Sequence, residues 1–345
     1  MAHYYPESSS IQAQDLQQCR ALLRGGSRTF YAASLVLPQG IRDPATALYA
    51  FCRVADDAVD ENLEPGNALQ CLRERLDRVY AQQPLVHPVE RAFAAVVDRF
   101  RIPRALPEAL IEGFEWDASQ RRYANLAELY AYAARVAGTV GSMMALIMGM
   151  RRPDVLARAC DMGIAMQLTN IARDVGEDAR AGRLYLPIDW LVEAGLDPDR
   201  WLAHPKFNPA LGSVVQRLIE AADRLYARSS AGIAWLPPAC RPGMHAARLL
   251  YAEIGHEVER NGLNSVVQRA HVAAWRKSSL LLQALIRSTM PKRELSPVAL
   301  DEVRFLLDAA ARDEAVVSDA PNTRAAWLFD LFERLERRRL GNTLH

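Results

Sequence analysis

Four oxygen-bearing side chains, Gln167, Asn170, Asp174 and Asp178, recur at intervals of three, four and four residues. An α-helix brings that spacing onto one face, because residues three and four apart are neighbours on its surface. Leu168, Ile171 and Val175 fall on other faces, and the flanking Met162, Ile164 and Met166 are apolar, so the helix reads as buried. A buried acidic stripe without partners costs several kcal/mol per ion. Any fold that holds this helix must supply cations to its groove.

A second stripe shares the pattern. Asp56 and Asp60 stand four residues apart, about 6 Å along a helix axis. Tyr49 and Arg53 precede them on the same face, and Asp57 adjoins. Like charges at this spacing repel. Arg53 offsets part of that repulsion, and a divalent cation offsets more. Magnesium suits the donor set: it is hard, prefers oxygen and commonly binds through one or two carboxylates plus substrate phosphates. Asp56, Asp57 and Asp60 on one helix and Asn170, Asp174 and Asp178 on the other are the expected ligands, with Mn²⁺ as the alternative ion. Arg28, Arg53, Arg173 and Arg269 are candidates for the remaining phosphate oxygens; a unit-charge pair at 4 Å is worth about 4 kcal/mol at an effective dielectric of 20. Taken alone, Asp56–Asp60 reads as a solvated helix face; two such stripes in one chain make cation binding the better reading. The alternating acidic pattern of an EF-hand loop and the Glu-x-x-His pair of a di-iron bundle are both absent.

The remaining sequence reads as helix after helix, with proline and glycine between periodic segments. Helices are expected at 11–25, 43–62, 67–81, 87–100, 107–121, 126–150, 154–179, 209–234, 239–261, 271–288, 297–312 and 323–339. An irregular all-α bundle with a central cavity follows. The charged part after Pro291 reads as an appended helical pair, giving a main domain over 1–290 and an extension over 291–345 packed on it. Hydrophobic residues make up 50% of the chain, enough for a packed core, and 42 basic against 41 acidic residues leave no electrostatic footprint for nucleic acid. The five cysteines include no C-x-x-C, which argues against a zinc site or a disulfide framework and for a reducing compartment. Met1 to Ser10 lacks a basic start followed by an apolar run, so no signal peptide is expected. The apolar stretch Val136 to Met150 is too short to span a bilayer. A cytoplasmic, membrane-peripheral location is the expectation.

At these residues the sequence resembles the squalene and phytoene synthase family. Ser27-Arg28-Thr29-Phe30 is similar to the family's phosphate-contacting flap, and Tyr49 to Asp60 to its first aspartate-rich motif. Gln167 to Asp178, followed by Gly182-Arg183-Leu184-Tyr185-Leu186-Pro187, is similar to its second. Arg122-Tyr123, Tyr130-Ala131-Tyr132 and Val136 to Gly141 resemble its central helix; Tyr251 to Ile254 and Arg269 resemble later cavity and phosphate residues. The resemblance implies an isoprenoid-synthase helical fold and a magnesium-dependent, two-step, head-to-head condensation of isoprenyl diphosphates. It implies catalytic roles for Asp56, Asp60, Asp174, Asp178, Tyr132 and Tyr185. Substrate contacts are implied for Ser27, Arg28, Thr29, Tyr49, Arg53, Gln167, Asn170, Arg173, Tyr251 and Arg269. Carbocation chemistry needs an apolar, water-free cavity with π faces. Phe30, Tyr49, Tyr132, Tyr185 and Tyr251 are candidates to supply them, with ordinary core packing as the alternative for each. Gly138 and Gly141 carry two compatible readings, close helix packing and room for a prenyl tail.

The run Ala179 to Leu191 is most similar to bacterial members that condense two geranylgeranyl diphosphates without a reductant, so no nicotinamide is expected. The alternative substrate is farnesyl diphosphate, with squalene, dehydrosqualene or hydroxysqualene as product. A non-catalytic relative would be expected to have lost its acidic ligands, and a helical scaffold would have no small-molecule site. A C40 hydrocarbon product implies peripheral membrane contact or hand-over to downstream carotenoid enzymes. Arg334, Arg337, Arg338 and Arg339 form a basic cluster that reads as a lipid contact or as favourable charge at a helix end. A monomer or homodimer is expected.

Overall fold

The computed structural model describes residues 11–26, 28–60, 65–83, 86–289, 291–292, 294–295 and 298–318, with the backbone alone at 28, 29, 60, 65 and 312–318. Helix α1 spans Ala13–Gly26, α2 Arg28–Ser34, α3 Gln39–Asp60, α4 Pro65–Tyr80, α5 Pro88–Phe100 and α6 Ala105–Ala118. α7 (Leu126–Ala133) runs through a π-helical turn (Ala134–Gly138) into α8 (Thr139–Ile147). α9 covers Pro153–Arg180, followed by α10 (Ile188–Glu193), α11 (Pro198–Ala203), α12 (Pro209–Ile233), α13 (Arg241–Arg260), α14 (Ala274–Ser288) and α15 (Arg304–Ser318). No strand occurs among the described residues.

Several starts follow from capping side chains. Asn125 accepts from the Glu128 N–H to open α7, and Asn208 does the same for Leu211 at the start of α12. Asp197 accepts from the Asp199 and Arg200 amides at α11. Each cap satisfies an orphan donor of the first turn. Three short helices, α2, α10 and α11, were not expected. The single helix expected over 126–150 is interrupted by the π turn, and the helix expected over 323–339 lies outside the described residues.

α9 is the central element, buried along most of its length and packed against α8, α12 and α13. Glycine makes this closeness feasible. A Cβ on Gly141 of α8 would press into the Ala159 carbonyl of α9, and one on Gly163 of α9 into the Ala137 carbonyl of the π turn. The two backbones therefore touch directly. The later part of the chain returns to the same bundle: α15 packs on α6 and α9, and the fully buried Leu306 lies against Gly138. No helix of the described residues is long and apolar enough to cross a membrane.

Gly141→Ala should lower stability by about 1–3 kcal/mol, the usual cost of overpacking a close contact. A Cβ on Gly138 would meet Leu306 at an ordinary 3.6 Å, so Gly138→Ala should be neutral or stabilising by up to about 1 kcal/mol. Denaturant midpoints decide this; equal losses for both variants contradict the backbone-contact account.

Candidate active site

An elongated cavity runs between α2, α3, α8, α9, α12 and α13. One end is formed by Phe30 and Tyr49, whose rings stack at 5.5 Å, together with Cys52, Gln167, Asn170 and Tyr251. Beyond it the walls are small or flexible apolar side chains: Ala137, Val140, Gly141, Met144, Met148, Met162, Gly163, Met166 and Met244. Small residues open the space, and unbranched methionines adapt to what fills it.

The polar end is the mouth, and the helices that carry both acidic stripes meet there; Asp56, Asp57, Asp174 and Asp178 do not themselves line the cavity, and Asp178 lines a separate small hollow with Arg183 and Tyr185. On α3, Tyr49 and Cys52 line the cavity, and Asp56 stands one turn further out, half exposed. Arg53 holds Asp57 at 2.6 Å and lies 3.8 Å from Asp56. Burial pushes the Tyr49 hydroxyl up to about 12, so it stays a hydrogen-bond donor. On α9, Gln167 and Asn170 line the cavity wall. Tyr251 of α13 lies near enough to Tyr49 and to Arg173 to influence the ionisation of both, which joins the two sides. The side chains of Arg28, Thr29 and Asp60, and all of Ser27, lie outside the described residues.

The α9 stripe is not straight. Asp174 has φ −106° and ψ 15°, outside helical geometry. Two residues on, the Gly176 N–H donates to the Ser265 carbonyl at 3.1 Å, and Gly176 has no room for a side chain against Val266. A strap that follows α13 thus packs on the kink. The same strap delivers Arg269, which pairs with Asp174 at 3.0 Å and with Glu177 at 3.2 Å. Arg173 grips Asp174 from its own helix at 2.5 and 2.8 Å. Asp178 is compensated only in part, by Arg183, which lowers its carboxyl less than its surroundings raise it. Burial, followed by the neighbouring Asp174 charge, pushes its carboxyl up to about 7.

Tyr132 and Tyr185 are not among the cavity-lining residues. Their hydroxyls donate to the two oxygens of Asp117, at 2.9 and 2.6 Å. The rings pack at 5.3 Å from each other, and Tyr123 stacks behind them. Burial pushes the Tyr132 and Tyr185 hydroxyls up, keeping them protonated. Asp117 also raises the Asp178 carboxyl, so this aromatic cluster backs the acidic end of the site. Phe30, Tyr49 and Tyr251 are the expected π faces that do line the cavity. Arg122 pairs with Asp199 away from the cavity. Asp117 escaped the sequence reading, because it stands alone near the end of α6 with no acidic partner at helical spacing.

The donor set fits magnesium. It comprises amide and carboxylate oxygens of Asn170, Asp174 and Asp178 from α9 and of Asp56 and Asp57 from α3. Asp178 is a buried carboxylate next to a second one, which is the electrostatic condition that a cation relieves. Among the described residues no three carboxylate, thiol or imidazole groups converge tightly enough to hold an ion alone. Magnesium commonly completes its shell with phosphate and water.

The chain belongs to the squalene/phytoene synthase family, which it matches over residues 23–276. It is 49% identical to the phytoene synthase of Cereibacter sphaeroides over 96% of this chain and 98% of that protein. It is 50% identical to the phytoene synthase of Rhodobacter capsulatus over 87% of this chain and 91% of that one. Among solved structures, a dehydrosqualene synthase in complex with ligand superposes with a TM-score of 0.72 at 30% identity, covering 79% of this chain and 95% of its own. The bundle is the isoprenoid-synthase helical fold.

The raised Asp178 carboxyl has a sign. Its folded value of about 7 lies above the ordinary aspartate value, roughly 3.9 in an unfolded chain. The folded state therefore holds the proton more tightly. The stabilisation is complete below the unfolded value and is lost as pH rises through about 7. Without divalent metal, Asp178→Asn should melt several degrees above the unsubstituted protein at pH 8, with the difference shrinking towards pH 4. A constant difference across that range, or none, removes the burial account of Asp178.

Proposed function

We propose that this chain is a phytoene synthase that joins two geranylgeranyl diphosphates head to head, with Mg²⁺ as cofactor and no nicotinamide. In the first step one allylic C–O bond ionises, diphosphate leaves, and the cation alkylates the double bond of the second substrate. Proton loss then closes a cyclopropylcarbinyl diphosphate. In the second step that intermediate loses its diphosphate, rearranges and gives up a proton to form the C40 hydrocarbon. Two diphosphates and two protons are released.

The observation that carries this reading is one apolar cavity whose polar end is lined from the two helices that carry the acidic stripes, by Tyr49 and Cys52 of α3 and Gln167 and Asn170 of α9. Magnesium, when bound, would neutralise the diphosphate charge that grows as each C–O bond breaks. Asn170, Asp174 and Asp178 would hold it from α9, and Asp56 and Asp57 from α3. Arg53, Arg173 and Arg269 bind the phosphate oxygens, and Gln167 orients the head group at the mouth. Phe30, Tyr49 and Tyr251 offer π faces to the cation, while the methionine and alanine walls exclude water. Tyr132 and Tyr185 act through Asp117, positioning the acidic end.

Depth favours the C20 substrate. From Asn170 at the mouth, lining residues continue along α9 to Val155, fifteen residues and about 22 Å of helix. An extended chain gains about 1.2 Å per bond, so a geranylgeranyl main chain of sixteen carbons needs about 18 Å and a farnesyl one about 13 Å. Peripheral contact with a bilayer is part of the proposal, because the product is insoluble in water. α14 presents Trp275, Leu282 and Ile286 to solvent and carries Arg276, Lys277 and Arg287 without an acidic residue, the composition of a helix that rests on a lipid surface. The arginines 334–339 lie outside the described residues.

Purified protein with Mg²⁺ should convert geranylgeranyl diphosphate to a C40 hydrocarbon identified by mass spectrometry. A hydrocarbon from farnesyl diphosphate alone overturns the substrate assignment. Asp56→Ala and Asp174→Ala should each lose about 10²-fold or more in turnover, the scale of losing one strong electrostatic contact, while circular dichroism keeps its helical signal. Near-normal turnover in both removes the metal assignment.

A further inference from the structure

A second cleft, of about 760 Å³, opens between α1, α2 and the start of α3, within the roughly 300–1,000 Å³ of small-molecule sites. α2 and the turn after it separate this cleft from the tunnel of the candidate active site. Tyr31 and Leu35 line the cleft, Phe30, Ala33 and Leu37 line the tunnel, and the buried Ser34 lines both. The charged side chains of the cleft are all cationic. On α1, Gln17, Arg20 and Arg24 follow at three and four residues, so one helix face bears two guanidiniums. Arg42 lines the opposite wall from α3. No acidic residue lines the cleft among the described residues. Arg20 reaches one outside the lining, Asp43 at 2.9 Å. Arg24 lies 6.0 Å over the Tyr31 ring. Among the described residues, neither Arg24 nor Arg42 has a carboxylate partner.

Arginines scattered on a convex surface need no partner, because water and salt screen them. A concave wall is different. A cleft lined by one sign of charge focuses its field and concentrates the opposite ion. The chain as a whole supplies no such bias, with 42 basic and 41 acidic residues. Two guanidiniums four residues apart also repel each other, and an anion held between α1 and α3 turns that repulsion into attraction. Phosphate is the anion that suits the donors, since guanidinium forks engage its oxygens two at a time. Gln17 and Tyr31 add uncharged hydrogen-bonding groups to the lining. Leu35 is 53% exposed, so the lining accommodates a phosphate that carries a hydrocarbon chain as well as a free one.

We infer that the cleft between α1, α2 and α3 is a second anion site, separate from the acidic mouth, which binds a phosphate group between Arg20, Arg24 and Arg42. Two sources share that chemistry: free diphosphate and the head group of an anionic phospholipid. The site does not depend on the proposed reaction. It differs from the mouth in kind, because its arginines stand without the carboxylates that would hold a metal ion, so it binds the anion with no divalent cation present.

The test uses the full chain in EDTA and two probes, inorganic diphosphate by calorimetry and phosphatidylglycerol–phosphatidylcholine vesicles by co-sedimentation. Arg24→Gln combined with Arg42→Gln should weaken binding of at least one probe about tenfold or more, the scale of losing hydrogen bonds to a charged group. Arg24→Gln alone, at an exposed position, should lose about threefold and serves if the pair does not fold. Arg78→Gln with Arg99→Gln removes the same charge from exposed positions on α4 and α5 and should change neither probe more than about twofold. A selective loss for diphosphate identifies a free anion, and one for vesicles identifies a lipid head group; each supports the site. No binding of either probe, unchanged binding in folded cleft variants, or an equal loss from the α4–α5 pair overturns it. With Mg²⁺ and geranylgeranyl diphosphate in detergent, the cleft pair should keep kcat/KM within about twofold; a tenfold fall places the anion at the mouth and overturns a second site. Absence of any hydrocarbon from the unsubstituted protein sinks the proposed reaction instead, and the binding comparison still decides the cleft.

Discussion

Asp174 is gripped by two arginines at the point where α9 leaves helical geometry, and the arrangement of the mouth depends on that grip. Arg173 comes from the same helix and Arg269 from the strap after α13. Their charges compensate Asp174, while Asp178, one turn on, is pushed up to about 7 by burial and by Asp174 itself. The mouth is therefore balanced at one carboxylate and frustrated at the next. A metal–diphosphate pair would resolve both at once, offering a cation to Asp178 and Asp56 and an anion to the arginines. Either partner alone would correct one sign of charge and worsen the other.

Helical periodicity made most of this visible in the sequence. Stripes at spacings of three and four betray a face whatever that face packs against, so Asp56, Gln167, Asn170 and Asp174 could be named as a candidate site from numbering alone. The kink at Asp174 could not, because it is fixed by a hydrogen bond from Gly176 to Ser265, nearly ninety positions away. Asp117 was equally hidden. Its role comes from two tyrosine hydroxyls on other segments, and it falls off the Glu108, Glu112 and Glu115 stripe of its own helix. α10 and α11 were missed since six residues are under two turns, too short for an apolar stripe to declare itself. Placement also divides the aromatic candidates in a way that spacing does not: Phe30, Tyr49 and Tyr251 face the cavity, while Tyr132 and Tyr185 stand behind its acidic end.

The tunnel exists because its walls give up side-chain volume where helices cross. Gly141 and Gly163 let α8 and α9 meet backbone to backbone, and both glycines also line the cavity. One pair of residues thus brings the helices together and leaves smooth space beside the crossing. Glycine inside a helix costs up to about 1 kcal/mol against alanine, a cost set against direct backbone contact over the crossing. The readings of close packing and of room for a tail describe the same atoms at Gly141. At Gly138 they part, since it packs on Leu306 and does not line the cavity.

α9 carries an aspartate held by two arginines towards each end of the cavity, and the two groups differ in their access to water. At the mouth, Arg269 is half exposed, and its partner Asp174 has a second arginine, so an incoming anion can take over a guanidinium without leaving a bare carboxylate. Towards the other end, Arg158 and Asp161 are both sealed from water, and Arg158 is tied to the backbone at Val298. Exchange there would leave a buried charge unpaired, which is far more costly than the same exchange at a wet rim. A single rigid helix thereby separates a replaceable ion pair from a permanent one by a fixed rise.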